Sequence, residues 1–243
     1  MQKVAVVSGS AKGLGKDIAL ALADCNFAVV VHYRKSAKEA KEVLKSIRVK
    51  SPKSDIVSGD LTDERQVKKI FGGILKKFGR IDLLVNNVGD FLYKDFEKTS
   101  NEEFKNIIES NLYSALFCSR AVLPLMRKQK GGNIINIGSV GADRLVLRAK
   151  SAPYFIAKNS VYALTKVMAY EEAKYGIRVN MISPGSMAAD IFKPGDFPMG
   201  RPALHKDVIK ALLFLISKEA RYISGANVEV AGAFIPGYNS QTK

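Results

Sequence analysis

The sequence predicts an α/β protein: a single doubly wound domain in which a seven-stranded parallel sheet carries helices on both faces. Three observations lead there. Short apolar, β-branched runs alternate with helix-like segments from end to end, the pattern of a parallel sheet covered on both sides. The first run, Lys3 to Ser8, opens directly into the glycine-rich turn Gly9-Ser10-Ala11-Lys12-Gly13-Leu14-Gly15. Ser139 directly follows a later run, and Tyr154 and Lys158 come soon after it. Open α/β sheets bind their ligands at the carboxyl ends of the strands.

Each element has its own signal. After the glycine turn, Ile18, Leu20, Ala21, Leu22 and Ala23 fit the inner face of an amphipathic helix ending near Cys25-Asn26. Further strands are expected at Phe27–His32, Asp55–Ser58, Ile81–Val85, Asn133–Ile137, Arg178–Ile182 and Asn227–Val230. Helices are expected at Ala37–Val49, Glu64–Phe78, Glu102–Arg127, Ala157–Tyr175 and Lys206–Ser217. Met187–Leu204, with three Pro and two Gly, is one long irregular stretch; such loops in compact domains are lids or binding loops. Ala233–Lys243, of Gly, Pro and polar residues, is expected to form a mobile tail. The helices at 102–127 and 157–175 carry apolar residues on more than one face (Leu112, Leu116, Phe117; Val161, Leu164, Met168). A helix buried on two sides wants a partner beyond its own sheet.

Composition narrows the class. A chain of 243 residues with 47% hydrophobic and 25% charged residues matches a soluble protein with one large core. No apolar stretch approaches the roughly 18 residues of a membrane span, so no membrane partner is expected. The amino terminus enters the first strand directly, leaving no room for a signal peptide and implying a cytoplasmic protein. Cys25 and Cys118 both fall in helix-like segments and are expected to be buried reduced thiols, with neither a disulfide nor a metal site. The formal charge is +15, but its cations are scattered, and no basic stripe interleaves with aromatics as nucleic-acid binding would want. The charge fits a solvated lysine-rich surface or an acidic protein partner.

The chemistry lies in two places. Strand, glycine turn and helix together form a dinucleotide-binding unit, because glycines allow close backbone approach and a helix amino terminus attracts pyrophosphate. The spacing Gly-x-x-x-Gly-x-Gly, taken alone, fits an ordinary glycine-rich turn equally well. In the usual scheme an acid at the end of the second strand selects NAD, whereas an Arg accommodates the 2′-phosphate of NADP. Here that strand ends Tyr33-Arg34-Lys35-Ser36; the acid is absent, two cations replace it, and Lys12 can reach the same phosphate. NADP(H) is the expected cofactor. In the second place, Tyr154 has a phenol too weakly acidic for proton transfer at neutral pH. Lys158, one helical turn on, shares its face and favours the phenolate. His32 is expected to be structural or to lie near adenine, and His205 has no evident partner.

Gly9/Gly13/Gly15, Asp60, Asn86-Asn87-Val88-Gly89, Asn111, Ser139, Tyr154/Lys158 and Pro184-Gly185 occur in the order and approximate spacing of the short-chain dehydrogenase/reductases. From Lys3 to Gly232 the chain resembles that family, and within it the 3-oxoacyl-carrier-protein reductase branch most. It departs at Ser8, where Thr is usual, at Val88, where Ala is usual, and at Val230-Ala231-Gly232-Ala233, where an Asp-Gly-Gly ending is common. The resemblance implies a Rossmann-type domain, a homotetramer and a place in fatty acid biosynthesis. It makes Tyr154 the general acid, Ser139 a hydrogen-bond donor to the substrate oxygen, Lys158 the residue that tunes Tyr154 and holds the nicotinamide ribose, and Asn111 the holder of a proton-relaying water. NADP(H) contacts are implied at Gly9, Ser10, Lys12, Gly13, Leu14, Gly15, Tyr33, Arg34, Lys35, Ser36, Asp60, Leu61, Asn87, Gly89, Tyr154, Lys158, Pro184 and Gly185, with Ser186 a further candidate.

The substrate is left more open. The loop between Ser139 and Tyr154 is longer than the branch's by about two residues and carries Arg144-Leu145-Val146-Leu147-Arg148, while the lid after Pro184 is shorter than usual. A basic, open mouth fits a 3-oxoacyl thioester on a carrier protein. Lys130 matches one carrier-docking position of the resembled branch, and Tyr175 occupies the other. A pteridine reductase is an alternative, with Phe91 stacking on the pterin, although that branch has Asp where Ser139 stands. Another small ketone or sugar, or a non-catalytic NADP-binding regulator, are further alternatives.

Overall fold

The strand runs form seven parallel strands: β1 (Val4–Val7), β2 (Ala28–Tyr33), β3 (Asp55–Ser58), β4 (Leu83–Asn86), β5 (Gly132–Ile137), β6 (Ile177–Pro184) and β7 (Asn227–Val230), in the order β3-β2-β1-β4-β5-β6-β7. A computed structural model describes residues 2–146, 148–187, 195 and 197–235. β1 is buried along its whole length because both faces are covered, which is why the strands read as continuous apolar runs. Ala5, Val7, Val29, Val31, Val85 and Ile135 point to one face, against α1 (Gly13–Asp24), α2 (Ala37–Arg48) and α7 (His205–Ile216). Val4, Val6, Val30, Leu84, Ile134 and Val179 point to the other, against α3 (Glu64–Phe78), α5 (Ser114–Gln129) and α6 (Ala152–Glu172). The alternation within each strand is the two-residue period of the pleat.

The strand order reverses between β1 and β4, each paired in register with the other (Val7 opposite Val85). That switch point leaves a crevice beyond the carboxyl ends of the two strands, where a doubly wound sheet binds its ligand. The glycine turn leaves β1 there and Asn87 leaves β4.

Two helices differ from the sequence expectation in ways that matter for function. The segment 102–127 is interrupted: α4 (Asn101–Ile108) and α5 are joined by a π-helical turn, Glu109–Tyr113, with Asn111 buried inside it. Such a bulge re-aims a side chain at the cost of local hydrogen bonding. α6 begins at Ala152 rather than Ala157, with Pro153 in its first turn; a Pro there has its φ preset and its missing N–H costs nothing. Tyr154 therefore stands inside the helix, one turn before Lys158.

The residues expected to give the long helices a second apolar face are largely absorbed by the subunit's own core. Met168 packs with Val179 and Cys118, and Val161 with Met181. The exposed large apolar side chains of this region, among the described residues, are Tyr113, Ile156, Val167 and Tyr170. Cys118 is buried as expected, but Cys25 is exposed, because it caps α1 rather than belonging to its inner face. In the segment expected to be a tail, Phe234 is buried against Val140 and Phe197; residues 236–243 lie outside the described residues, as do lid residues 188–194 and 196. Among the described residues no helix is long and apolar enough to cross a membrane.

Candidate active site

The nucleotide side is built by the turn after β1. Gly9 and Gly13 have φ near +60°, the left-handed region that glycine enters freely. A side chain on Gly15 would overlap the Gly9 carbonyl and stand 2.6 Å from Asn87 Nδ2, so the first turn of α1 lies directly on the loop. The amino terminus of α1 has no side-chain cap and no acidic residue in its first turn, leaving its N–H groups and dipole for an anion. Ser8 Oγ accepts from the N–H groups of Asn87 (2.8 Å) and Val88 (3.1 Å), joining the ends of β1 and β4.

His32 and Ser10 brace this turn. His32 Nδ1 accepts from the Gly9 N–H at 3.1 Å, which leaves Nε2, 3.0 Å from the Gly59 carbonyl, as the protonated nitrogen. Burial lowers its pKa and keeps it neutral. Ser10 is fully buried. Its hydroxyl donates to the Val7 carbonyl and accepts from the His32 N–H, so its side chain shapes the turn and does not face the crevice as a cofactor contact would.

A second hollow of the crevice, on the β2 side, is bordered by Arg34, Asp60, Leu61, Asn87 and Gly89. Asp60 Oδ1 accepts from the N–H and hydroxyl of Thr62, and Oδ2 lies 3.4 Å from Arg34 Nη1. Partial burial opposes its ionised form, yet those bonds and Arg34 outweigh it and hold the carboxyl below its ordinary value. Asp63 caps α3 by accepting from the N–H groups of Arg65 and Gln66. Lys12 pairs with Glu39 at 2.7 Å. Tyr33 is half buried against the core, Lys35 is exposed, and Ser36 precedes α2 without capping it.

The second half is a cavity of about 370 Å³ where Leu14, Gly89, Ser139, Tyr154, Lys158, Pro184, Gly185 and Ser186 meet. Ser139 lies beside the Tyr154 phenol in this cavity and favours its ionised form. Phe91 meets the Tyr154 ring edge to face at 5.0 Å and Phe155 meets it at 5.6 Å, fixing the phenol's direction. Lys158 Nζ is buried, donates to the Ile137 carbonyl at 2.8 Å, and lies 5.6 Å from the centre of the Tyr154 ring.

Asn111 completes the group. Its Nδ2 donates to the carbonyls of Asp90 (2.8 Å) and Ile107 (2.9 Å). Its Oδ1 is buried and has no partner among the described residues, although buried acceptors are nearly always paired. Gly89 separates this oxygen from the ammonium: a side chain there would stand 2.9 Å from Asn111 Cγ and 3.3 Å from Lys158 Nζ. Gly89 is thus needed for room beside Asn111 and Lys158, not for a positive φ in the turn.

The electrostatics correct one expectation. Burial pushes Tyr154 up to about 12, with Ser139 opposing it, and pushes Lys158 down to about 8. Desolvation outweighs the attraction between the two groups, so Tyr154 stays protonated at neutral pH and is set up to donate rather than accept.

Other expectations shift as well. Lys130 ends α5 just before β5, and Tyr175 lies just before β6, while Ser139 follows β5. Parallel strands put Lys130 and Tyr175 at the sheet edge opposite the Tyr154 cavity, about 17 Å along β5 by the rise per residue; within one subunit they are not part of its mouth. His205, without a partner in the sequence reading, has its Nδ1 2.7 Å from Asp17 Oδ2 on α1. Phe234, Met187 and Arg148 also line the cavity. Of these only Arg148 left a trace in the sequence, as part of the basic stretch between Ser139 and Tyr154.

A family model described as enoyl-(acyl carrier protein) reductase matches residues 9–234. The 3-oxoacyl-(acyl-carrier-protein) reductase FabG of Staphylococcus aureus is 32% identical over 96% of this chain and 98% of its own. Acetoin dehydrogenase YohF from Salmonella typhimurium superposes with a TM-score of 0.89 at 28% identity, covering 98% of this chain and 99% of that one. Acetoin dehydrogenase from Enterobacter cloacae does so with a TM-score of 0.91 at 28% identity, over 100% and 99%. The glycine turn, the Ser139–Tyr154–Lys158 group and these likenesses agree: the chain belongs to the short-chain dehydrogenase/reductase family of oxidoreductases.

Proposed function

We propose that this protein is an NADPH-dependent carbonyl reductase whose favoured substrate is a 3-oxoacyl thioester. The observation that carries the reading is the convergence of Ser139, Tyr154 and Lys158 on one cavity, with the unpartnered Oδ1 of Asn111 close behind Lys158. The residues fit a dinucleotide: a Cβ on Gly13 would meet no protein atom within 4 Å, so the turn is open there, and the amino terminus of α1 is uncapped. Gly9, Gly13, Leu14, Gly15, Asn87, Gly89, Pro184 and Gly185 would border the cofactor, and Asp60 its adenine end. Arg34, Lys35 and Lys12 favour a 2′-phosphate.

The bound cofactor supplies a hydride to the carbonyl carbon. Tyr154, protonated at neutral pH, donates its phenolic proton to the carbonyl oxygen as charge develops there. The Ser139 hydroxyl donates a hydrogen bond to the same oxygen and stabilises that charge. Lys158, as an ammonium, offsets the negative charge left on the Tyr154 oxygen and would hold the ribose hydroxyls. Asn111 Oδ1 accepts from a water that returns a proton towards Lys158. Phe91 and Phe155 hold the Tyr154 ring and exclude bulk water from one side of it.

The 3-oxoacyl reading rests on the named Staphylococcus relative. The two acetoin dehydrogenase structures favour a second reading, a small hydroxyketone, in the same cavity. A homotetramer is proposed from the outward Ile156, Val167 and Tyr170 on α6 and Tyr113 before α5. NADPH oxidation with acetoacetyl-pantetheine, acetoin and dihydrobiopterin separates the readings. The proposal requires the thioester to have the highest kcat/KM; preference for acetoin or pterin, or no turnover of any, overturns it.

A further inference from the structure

The turn after β1 and the corner after β2 meet through one ion pair. Lys12 immediately precedes α1, with extended backbone, and its Nζ lies 2.7 Å from Glu39 Oε1. Glu39 is the third residue of α2 and the acid of that helix's first turn. The glycine turn itself abuts the end of β2, since the Ser10 N–H donates to the His32 carbonyl. Arg34 follows two residues later and borders the hollow on that side. Lys12, Arg34 and Glu39 thus stand around one corner of the crevice, where an Arg or Lys would meet a 2′-phosphate.

Glu39 occupies this corner as an anion. Its carboxyl is held below the ordinary value first by the Lys12 ammonium and next by its own N–H, one of the unpaired donors at the start of α2. Ser36 leaves that helix uncapped, so a helix amino end and an ammonium converge on the carboxylate, an arrangement that equally suits a phosphate. Arg34 is held more loosely, 3.4 Å from Asp60 Oδ2, while the other oxygen of Asp60 accepts twice from Thr62. Each of these two cations therefore already faces a carboxylate, and Lys12 has the closer one. With side chains 61% and 39% exposed, the Lys12–Glu39 pair contributes little to folding. Its effect falls on an anion that comes to Lys12.

We infer that Glu39 is a specificity-determining residue: its carboxylate competes with the 2′-phosphate of NADPH for Lys12 and so restrains the preference for NADPH over NADH. This rests on the reading of the protein as an NADPH-dependent enzyme and deepens it. A 2′-phosphate must draw Lys12 away from Glu39 and come to rest near a like charge. NADH carries a hydroxyl at that position and leaves the pair intact. Arg34, whose hold on Asp60 is loose, then supplies the larger part of the discrimination, and Lys12 a part that Glu39 keeps small.

Calorimetry measures the Kd of NADP+ and of NAD+ for wild type, Glu39→Gln, Lys12→Met and the double variant, at low and at high salt. In Glu39→Gln, NADP+ binds about two- to fivefold tighter at low salt, the size of an exposed ion pair, while NAD+ binds as in wild type. High salt narrows the gain, because the charges are exposed. In the Lys12→Met background the same substitution brings no gain. Unchanged or weaker NADP+ binding in Glu39→Gln overturns the inference, the weaker case showing that Glu39 aims Lys12 at the phosphate. An equal gain for NAD+ overturns it, as does a gain of the same size with and without Lys12, which would mean that Glu39 acts by its charge alone. These results come from binding and do not depend on any ketone being reduced. If NADP+ binds and Glu39→Gln has no effect, the inference alone fails; if neither dinucleotide binds, the cofactor reading fails and takes the inference with it.

Discussion

Replacing Lys158 by Met should make the protein more stable at neutral pH while removing its reductase activity. Lys158 Nζ is buried, with the Ile137 carbonyl as its hydrogen-bond acceptor and no ion-pair partner among the described residues. Burial lowers its pKa from 10.5 to about 8, which is worth about 3 kcal/mol against the charged form. Met fills similar volume without a charge. Against that gain, the variant leaves the Ile137 carbonyl unpaired, at a cost of about 1–2 kcal/mol. The net expectation at pH 7 is a gain of about 1–2 kcal/mol. The sign follows from proton binding. Between pH 8 and 10.5 the unfolded chain holds a proton on Lys158 and the folded chain does not, so wild-type stability rises with pH through that window. The variant has no such term. Its advantage should therefore shrink above pH 8 and reverse by about pH 10, where the lost hydrogen bond outweighs what is left of the charge penalty. Urea unfolding of both proteins at pH 7 and pH 10, at one protein concentration and without cofactor, measures this. Equal destabilisation at both pH values would refute the claim that Lys158 is a buried, uncompensated charge.

Tyr154→Phe should keep the ring's contacts with Phe91 and Phe155, bind NADPH almost as wild type by fluorescence titration, and retain well under about a tenth of the activity, since a general acid contributes about a hundredfold or more. Arg34→Leu should lower kcat/KM with NADPH at least about tenfold, the value of one charge-assisted bond, and leave NADH little changed; an equal effect on both would remove Arg34 from the 2′-phosphate. Gly15→Ala should weaken NADPH binding and lower the Tm, because the added methyl overlaps the Gly9 carbonyl and reaches 2.6 Å from Asn87 Nδ2; such overpacking costs about 1–3 kcal/mol.

The sheet was legible because a parallel sheet buried on both faces turns every strand into a run such as Val4–Val7 or Ile134–Ile137, and the seven predicted runs coincide with strands to within a few residues. The catalytic candidates came from a serine at a strand's end and a Tyr/Lys pair one helical turn apart, while their roles, and Asn111, came from the resemblance to the family. Positions that depend on the third dimension were not legible. Lys130 lies close to Ser139 in sequence, yet β5 runs between them and puts them at opposite edges. Val161 and Met168 look like a second apolar stripe, but both are buried in the subunit's own core, Met168 with Val179 and Val161 with Met181. The π turn at Asn111 was not legible, since the segment 102–127 reads as one helix. The contacts of Arg144 with Glu229, of Arg148 with the Tyr93 ring and of Lys150 with Asp95 were invisible, since the partners come from distant parts of the chain. Desolvation of Tyr154 was likewise missed, because spacing gives the attraction of Lys158 but not the burial that overrides it.

The central claim, that Tyr154, Ser139 and Lys158 complete a hydride transfer to a carbonyl, is tested most directly by isotope transfer. The protein would be incubated with NADPH carrying deuterium at nicotinamide C4 and acetoacetyl-pantetheine, and the product analysed by mass spectrometry and NMR. The account predicts one deuterium on the carbinol carbon of 3-hydroxybutyryl-pantetheine, with the signal lost in Tyr154→Phe. Product without deuterium at that carbon, or the same labelled yield from Tyr154→Phe, would contradict it.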